Sequence, residues 1–482
     1  MINFRIIARV FSQVLIFEGV SMLLAGAVSW IYKEPAASSF LYSALITLIT
    51  GILVFTPLRN EEKVYGTREG YIINTCIWLL FSAFGTLPYL LSSSADNFTD
   101  AFFESISGFT TTGATIFTDI ESLPHGILFW RSLTQWIGGI IIITLSFYVL
   151  PVIKSLSIQL STTEFSGHMT DKIHPKVFET AKRLISIYII LTLGEALLLI
   201  IGKMSLFDAV CHSLSTLSTG GFSTRNNGIA AFTSPYLRAV ITLFMFFAGL
   251  NPVLLYFAVK RNIRKIIHNN EFVFYTILAV GFSLIVATLL FFTSNISFSA
   301  ALSNGFFHAI SVITTTGFYT DNFSQWGTLL ATIIFILMFT GGMAGSASGG
   351  IKVIRLMITA KNSLNETKRL IHPNAYLPVR VDQKRIPQNI VYNLLIFIIL
   401  YFISVCVGTL LISFMDYDLI TSFSTTASML GNIGPGLGTF SPFTNYAGMP
   451  VTGKWILSAL MLLGRLELLT VIVLFSRSFY KR

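Results

Sequence analysis

Hydrophobic runs of two lengths alternate along this chain. The long ones predict helices over 11–32, 38–56, 71–92, 126–150, 183–202, 237–259, 271–293, 328–356, 389–413 and 453–476. About 20 apolar residues suffice to cross a bilayer as a helix. The short ones, 99–109, 207–217, 300–313 and 418–429, carry polar positions among the apolar ones and each lies between two long runs. At roughly 10–14 residues they are too short to span and read as re-entrant half-helices. The expected fold is an all-α polytopic membrane protein with ten spans and four half-helices.

A Gly/Thr stretch follows each half-helix. ITTTGFYTDN (313–322) aligns without a gap on LSTGGFSTRN (217–226); FTTTGATIF (109–117) is a third copy and LGNIGPGLG (430–438) a weaker fourth. With Gly113, Gly221, Gly317 and Gly434 as anchors, the spacings are 108, 96 and 117 residues. That is too long for a solenoid and fits a duplicated unit that brings four equivalent loops together. The chain divides accordingly into two N-terminal helices (1–70) and four pore repeats, 71–182, 183–270, 271–388 and 389–482. Thirteen residues before the anchor stand Asp100, Asp208 and Asn304, the expected N-caps of the half-helices. The fourth copy lacks one there, with Asp418 three residues earlier. Nine before the anchor stand Glu104, His212, His308 and Thr425.

Composition agrees with a membrane chain: 53% hydrophobic residues, 11% charged and a mean hydropathy of +0.73. The net charge of +10 does not point to nucleic acid. Most Lys and Arg fall in one alternate set of loops, 57–70 (with Lys63), 151–182, 260–270 and 352–388, which fixes orientation in the lipid bilayer. The opposite loops carry Asp96, Asp119, Glu121, Asp321 and Asp416, an acidic outer mouth that would concentrate cations. Both termini are expected inside. Arg5 and Arg9 precede a first span without a small-residue cleavage site, which reads as retained. Trp130, Trp326 and Trp455 fall near outer boundaries as an aromatic belt. Cys76, Cys211 and Cys406 lie far apart in apolar segments and read as structural. No cluster of catalytic or metal-ligating spacing appears, so neither an enzyme nor an organic cofactor is expected.

A dehydrated cation at membrane depth needs oxygen ligands, and inward-pointing backbone carbonyls supply them without charge. A glycine that tolerates positive φ lets the chain aim them. The candidate filter is therefore Thr110, Thr111, Thr112 and Gly113; Ser218, Thr219, Gly220 and Gly221; Thr314, Thr315, Thr316 and Gly317; and Gly431, Asn432, Ile433 and Gly434. GGMAGSASGG (341–350) interrupts an apolar segment. It reads either as a kink that packs through small residues or as a mobile loop across the pathway. Arg465 lies inside the last span, where a charge costs roughly 3 kcal/mol on insertion scales, and faces a cavity or an ion partner. Glu467 has no assigned role, and Glu18 and Glu195 read as packing or bilayer-edge residues.

FFESISGFTTTGAT (102–115), FWRSLTQWIGG (129–139), STGGFST (218–224), ITTTGF (313–318) and GNIGPGLG (431–438) resemble the TrkH/TrkG/KtrB family, the membrane subunits of bacterial potassium-uptake systems. The resemblance covers essentially the whole chain, and the two extra N-terminal helices match the TrkH type. It implies four fused helix–pore–helix units around one pore in the cytoplasmic membrane. Potassium would be held at Thr111, Thr112, Thr219, Gly220, Thr315, Thr316, Asn432 and Ile433, with Gly113 favouring potassium over sodium. It also implies a gate at Gly341, Gly342, Gly345, Ser346, Ser348, Gly349 and Gly350, with Arg465 projecting into the pore. Its implied partners are a second copy, as a homodimer, and a ring of TrkA-like nucleotide-binding regulatory subunits on the basic inner face. The chain departs from the family pattern at Pro252, where a Phe is usual, and in WIGGIIII (136–143), which lacks a later Gly. A coupled secondary transporter with broken helices is the alternative. It would show inverted repeats, whereas these four run parallel.

Overall fold

Each short helix starts where a small polar side chain precedes an apolar run. In the computed structural model, which describes residues 2–60, 66–148, 175–466 and 468–480, these helices are Phe98–Phe109, Leu206–Leu217, Phe298–Ile313 and Leu419–Gly431. Lys63, most of the basic loop 151–182 and Glu467 lie outside the described residues. The N-caps are Asn97, Ser205, Ser297 and Asp418, whose side chains accept from the backbone N–H of Asp100, Asp208, Ala300 and Thr421 at 2.9–3.3 Å. This corrects the sequence expectation. Asp100 and Asp208 lie one turn inside, their own N–H groups being the ones capped, and Asn304 sits within its helix. Asn97, Ser205 and Asp418 all stand sixteen residues before their anchor glycine. The fourth copy thus keeps the rule, and the third departs from it by starting a turn early.

Among the described residues, seven helices are long and apolar enough to span, rather than the ten expected: Phe4–Ile31, Ala36–Leu58, Arg68–Leu91, His125–Ile143, Ala181–Ile201, Asn270–Thr293 and Gln388–Ser413. The remaining three expected spans are broken. Pro235–Ala248 and Pro252–Val259 meet at 110°. Asn251 caps the second piece by accepting from Val253 N at 2.9 Å, and Pro252 takes the first helical position, where its missing N–H costs nothing. Thr328–Leu337 ends before the glycine-rich loop, and the chain resumes as Val353–Ile371. Val451–Arg465 gives way to Leu468–Phe475. The breaks meet one another. Met343 N donates to the carbonyl of Gly249 at 2.8 Å, and Arg465 Nη1 donates to that of Ala347 at 2.5 Å.

The long helices turn Leu, Ile and Phe outward: Leu23, Ile49, Leu197, Ile277, Ile399 and Leu410 are all exposed. The C-terminal halves of the short helices are buried on every side, as irregular backbone at membrane depth requires. The N-terminal pair packs as a hairpin on the first repeat, with Gly19 against Leu48 and Gly51 against Ile16. Trp130 is not part of a belt: it is fully buried between Phe40 and Phe109, its indole N–H donating to Gly85 O at 3.3 Å. Glu18 and Glu195 are likewise fully buried, as packing residues would be.

The caps are testable. Asn97→Ala or Asp418→Ala is expected to cost about 1 kcal/mol, while Asn304→Ala costs less. Thermal unfolding of the purified protein would rank the three.

Candidate functional site

The four Gly/Thr stretches share one backbone. The residue two before each anchor is left-handed: Thr111 (φ 53°), Thr219 (53°), Thr315 (56°) and Asn432 (55°). The anchors are left-handed too, at 82° (Gly113), 81° (Gly221), 76° (Gly317) and 102° (Gly434). Two backbone bonds recur in every copy. Thr111, Thr219, Thr315 and Asn432 donate to Gly108, Thr216, Val312 and Met429, and Thr112, Gly220, Thr316 and Ile433 donate to Ser107, Ser215, Ser311 and Ser428. This is the Schellman closure of a helix C-terminus, with Thr or Asn where glycine is usual. Each loop therefore grows out of its helix end in one fixed direction.

The loops close on each other in a cycle. A Cβ on Gly113 would lie 2.2 Å from the carbonyl oxygen of Gly220; one on Gly221, 2.1 Å from that of Thr316; one on Gly317, 1.8 Å from that of Ile433; and one on Gly434, 2.6 Å from that of Thr112. Each anchor thus rests on the carbonyl that precedes the next anchor, and the fourth copy returns to the first. Glycine is required twice here, by φ and by the neighbouring oxygen.

Side chains hold this backbone from behind. The hydroxyls of Thr110, Ser218 and Thr314 donate back to Ile106, Leu214 and Ile310 at 2.6–2.8 Å, and those of Thr112 and Thr316 pair with Thr110 and Thr314 at 2.8 Å. These hydroxyls brace the loops. Gly220 breaks the Thr pattern because Gln135 occupies its side-chain space, donating to Gly220 O at 2.7 Å and accepting from Phe222 N at 3.2 Å. Asn432 donates to Thr112 Oγ1 at 3.0 Å and to Met461 O at 2.9 Å, joining the fourth repeat to the first.

The position nine before each anchor, noted in the sequence without a role, steadies the outgoing leg in three copies. Glu104 accepts from Ile116 N and Thr115 Oγ1 at 3.0 Å. His212 donates through Nδ1 to Asp208 O at 2.7 Å and meets Ser223 Oγ through Nε2 at 2.9 Å. His308 Nδ1 donates to Asn304 O at 3.0 Å, leaving Nε2 to accept from Thr320 N at 3.3 Å. In the fourth copy, Tyr446 donates to Gly434 O at 2.9 Å. Glu104 also pairs with Arg131 at 2.7 Å, both fully buried. Arg131 reaches Ser223 O at 3.1 Å and lies over the Phe222 ring, so repeats one and two are locked by a charge.

A vestibule above the ring is lined by all four anchors together with Arg131, Arg225, Tyr319 and Tyr446. The five acids expected at the outer mouth do not line it. Asp119 and Glu121 instead receive Asn226, which ties two outer loops together, and that amide holds the Asp119 carboxyl below its usual range. Asp321 accepts from the Trp326 indole at 3.0 Å.

Below the ring lies the glycine-rich loop. Gly349 N donates to Thr315 Oγ1 at 2.8 Å, and a Cβ on Gly349 would lie 2.3 Å from Gly431 O. Gly342 N donates to Ser348 Oγ at 2.9 Å, and Ala344 N to Glu271 at 2.7 Å. Gly345 (φ 78°) and Gly350 (φ 63°) make its turns, and Thr340 and Ile351 bridge its ends beside Gly341. Ser346 and Ser348 are 2.7 Å apart. Arg465, 5% exposed, reaches this loop and lies over the Trp78 ring, and its Nε and Nη2 have no hydrogen-bond partner among the described residues. Predicted filter and gate residues are thus brought into contact.

Sequence reasoning missed a column of serines six before each anchor: Ser107, Ser215, Ser311 and Ser428, all fully buried. Ser311 donates to Phe318 O at 2.7 Å. The signal was present, since the same residue stands at that place in every copy.

Residues 38–480 match the family model described as TrkH, cation transport protein. The chain belongs to that family. It is 37% identical to the Trk system potassium uptake protein TrkH of Salmonella typhimurium and 36% identical to that of Escherichia coli K12, in each case over 99% of this chain and 100% of the relative. The crystal structure of the potassium transporter TrkH from Vibrio parahaemolyticus superposes with a TM-score of 0.90 at 32% identity, covering both chains fully. The two N-terminal helices, the four half-helices and the broken spans thus belong to a TrkH-family fold.

Two substitutions test the ring and its lock. Gly317→Ala is expected to displace the Ile433 carbonyl and lower both ion flux and selectivity while the protein still inserts, because its Cβ would lie 1.8 Å from Ile433 O. Glu104→Gln strands Arg131 and should cost roughly 3–5 kcal/mol, whereas removing both charges with Glu104→Leu and Arg131→Leu costs less. Flux assays and thermal unfolding read the two effects.

Proposed function

We propose that this chain is the ion-translocating subunit of a Trk-type system and takes up potassium across the bacterial cytoplasmic membrane. Its membership of the TrkH family and the names of its relatives support the substrate. The observation that carries the reading is the closed cycle of Gly113, Gly221, Gly317 and Gly434 against the carbonyls of Gly220, Thr316, Ile433 and Thr112. Four neutral oxygens around one axis, backed by hydroxyls bonded elsewhere, suit a cation that must shed water without meeting a fixed negative charge.

In this reading the filter comprises the sixteen residues Thr110–Gly113, Ser218–Gly221, Thr314–Gly317 and Gly431–Gly434. Ions enter from the vestibule, pass the carbonyls of Thr111, Thr112, Thr219, Gly220, Thr315, Thr316, Asn432 and Ile433, and meet the loop Gly341–Gly350 as a gate. Arg465 below adds a positive charge that opposes passage until the loop moves. Both termini lie in the cytoplasm, the four repeats follow the boundaries read from the sequence, and the protein works as a homodimer. Its basic inner face receives TrkA-like nucleotide-binding subunits. No chemical step is required of this chain.

Recordings from purified protein in planar bilayers test the reading: potassium currents well above transporter turnover are expected. Saturable, solute-coupled flux without conductance would sink it. Gly113→Ser should raise sodium permeability relative to potassium, since its Cβ presses on Gly220 O; unchanged selectivity argues against Gly113 as a filter residue.

A further inference from the structure

The glycine-rich loop already holds a cation of its own. Nζ of Lys352 donates to Ser348 O at 2.6 Å and Ser346 O at 3.0 Å, with the hydroxyl oxygens of Ser348 and Ser346 at 3.2 and 3.3 Å. Neither serine is a surface group: they are 3% and 1% exposed. Their hydroxyls are oriented by other bonds. Ser346 Oγ donates to Met343 O at 2.6 Å, and Ser348 Oγ accepts from Gly342 N at 2.9 Å. The lone pairs that face Lys352 are thus set by the loop itself.

An ammonium group offers three donors and no acceptor. What it finds here, two carbonyls and two hydroxyls, is the ligand type that replaces water around a monovalent ion in a filter. A small divalent ion fits poorly, because it demands distances near 2.0–2.1 Å and usually carboxylates. The place is equally specific. Ala347, between the two serines, accepts from Arg465, and Gly349, next after Ser348, donates to Thr315 of the ring.

We propose that the oxygens of Ser346 and Ser348 form a monovalent-cation site beneath the four-loop ring, filled in this conformation by the Lys352 ammonium as a tethered substitute for the transported ion. This rests on the reading of the ring as the ion path. An ion leaving the ring reaches these oxygens only when Lys352 has withdrawn, so lysine and ion compete for one site. Lys352 then stabilises the loop across the path, and its departure vacates the next stop for the ion.

The test uses the full chain with Lys352→Met, which keeps an unbranched apolar side chain one atom shorter and removes the ammonium. Crystals of both proteins are soaked in Tl⁺ and read by anomalous scattering. The expected result is peaks at the ring in both, and a further peak among the Ser346 and Ser348 oxygens in the variant alone. Ring peaks without that further peak, whether the loop stays or moves, overturn the cation site. Absence of ring peaks in the unmodified protein refutes the ion-path reading instead. In proteoliposomes the variant should pass Rb⁺ at least about tenfold faster, the shift expected when a charge-assisted hydrogen bond holding a closed state is lost. Flux that stays level overturns the plug. Lys352→Ala, which empties the cage altogether, carries the same expectations should the methionine variant not be monodisperse.

Discussion

Each anchor glycine presses on a carbonyl oxygen of the next copy, and most other features of the molecule serve that contact. It works only if four loops with left-handed backbone arrive at one axis at one depth. A left-handed Thr costs roughly 1–2 kcal/mol, and there are three of them, with Asn432 as the fourth member of the column. The Schellman bonds, the back-bonded hydroxyls and the buried short helices hold the loops there. The long helices have the complementary task of keeping lipid away from backbone that could not survive in it.

Charge is distributed to the same end. Where a carboxylate comes near the ring, as Glu104 does, it is neutralised by Arg131 and locked behind the loop rather than left facing the axis. His212 and His308 hold the equivalent places in the next two copies with imidazole rings. Below the ring the loop is met by two cationic side chains and, through Ala344 N, by the Glu271 carboxylate. Arg465 donates to Ala347 O and lies over the Trp78 ring, with Nε and Nη2 lacking a hydrogen-bond partner among the described residues, and Lys352 is held by the oxygens of Ser346 and Ser348.

Much of this was legible in the chain because its period is coarse. Half-helices and full spans differ in length, and four similar stretches announce equivalent places whatever the details. Finer marks were misread when they depended on a single turn. Asp100 and Asp208 looked like caps, yet Asn97 and Ser205 hold that position, and Asp418, set aside as a departure, is the regular cap of its copy. The bend at Gly249–Asn251 was written in the sequence as an Asn-Pro pair, but the surrounding apolar run hid it.

What the sequence determined by itself was the membrane class, the fourfold repetition and the glycines that permit a left-handed backbone, since each follows from local composition and spacing. What tertiary structure alone decided was which oxygen each glycine meets, why Gly220 is not a threonine, and that three broken helices converge on one loop. Gln135 and Gly220 are 85 residues apart, and Arg465 and Ala347 are 118 apart. No local pattern carries such pairings, because they exist only once the four repeats have closed around their axis.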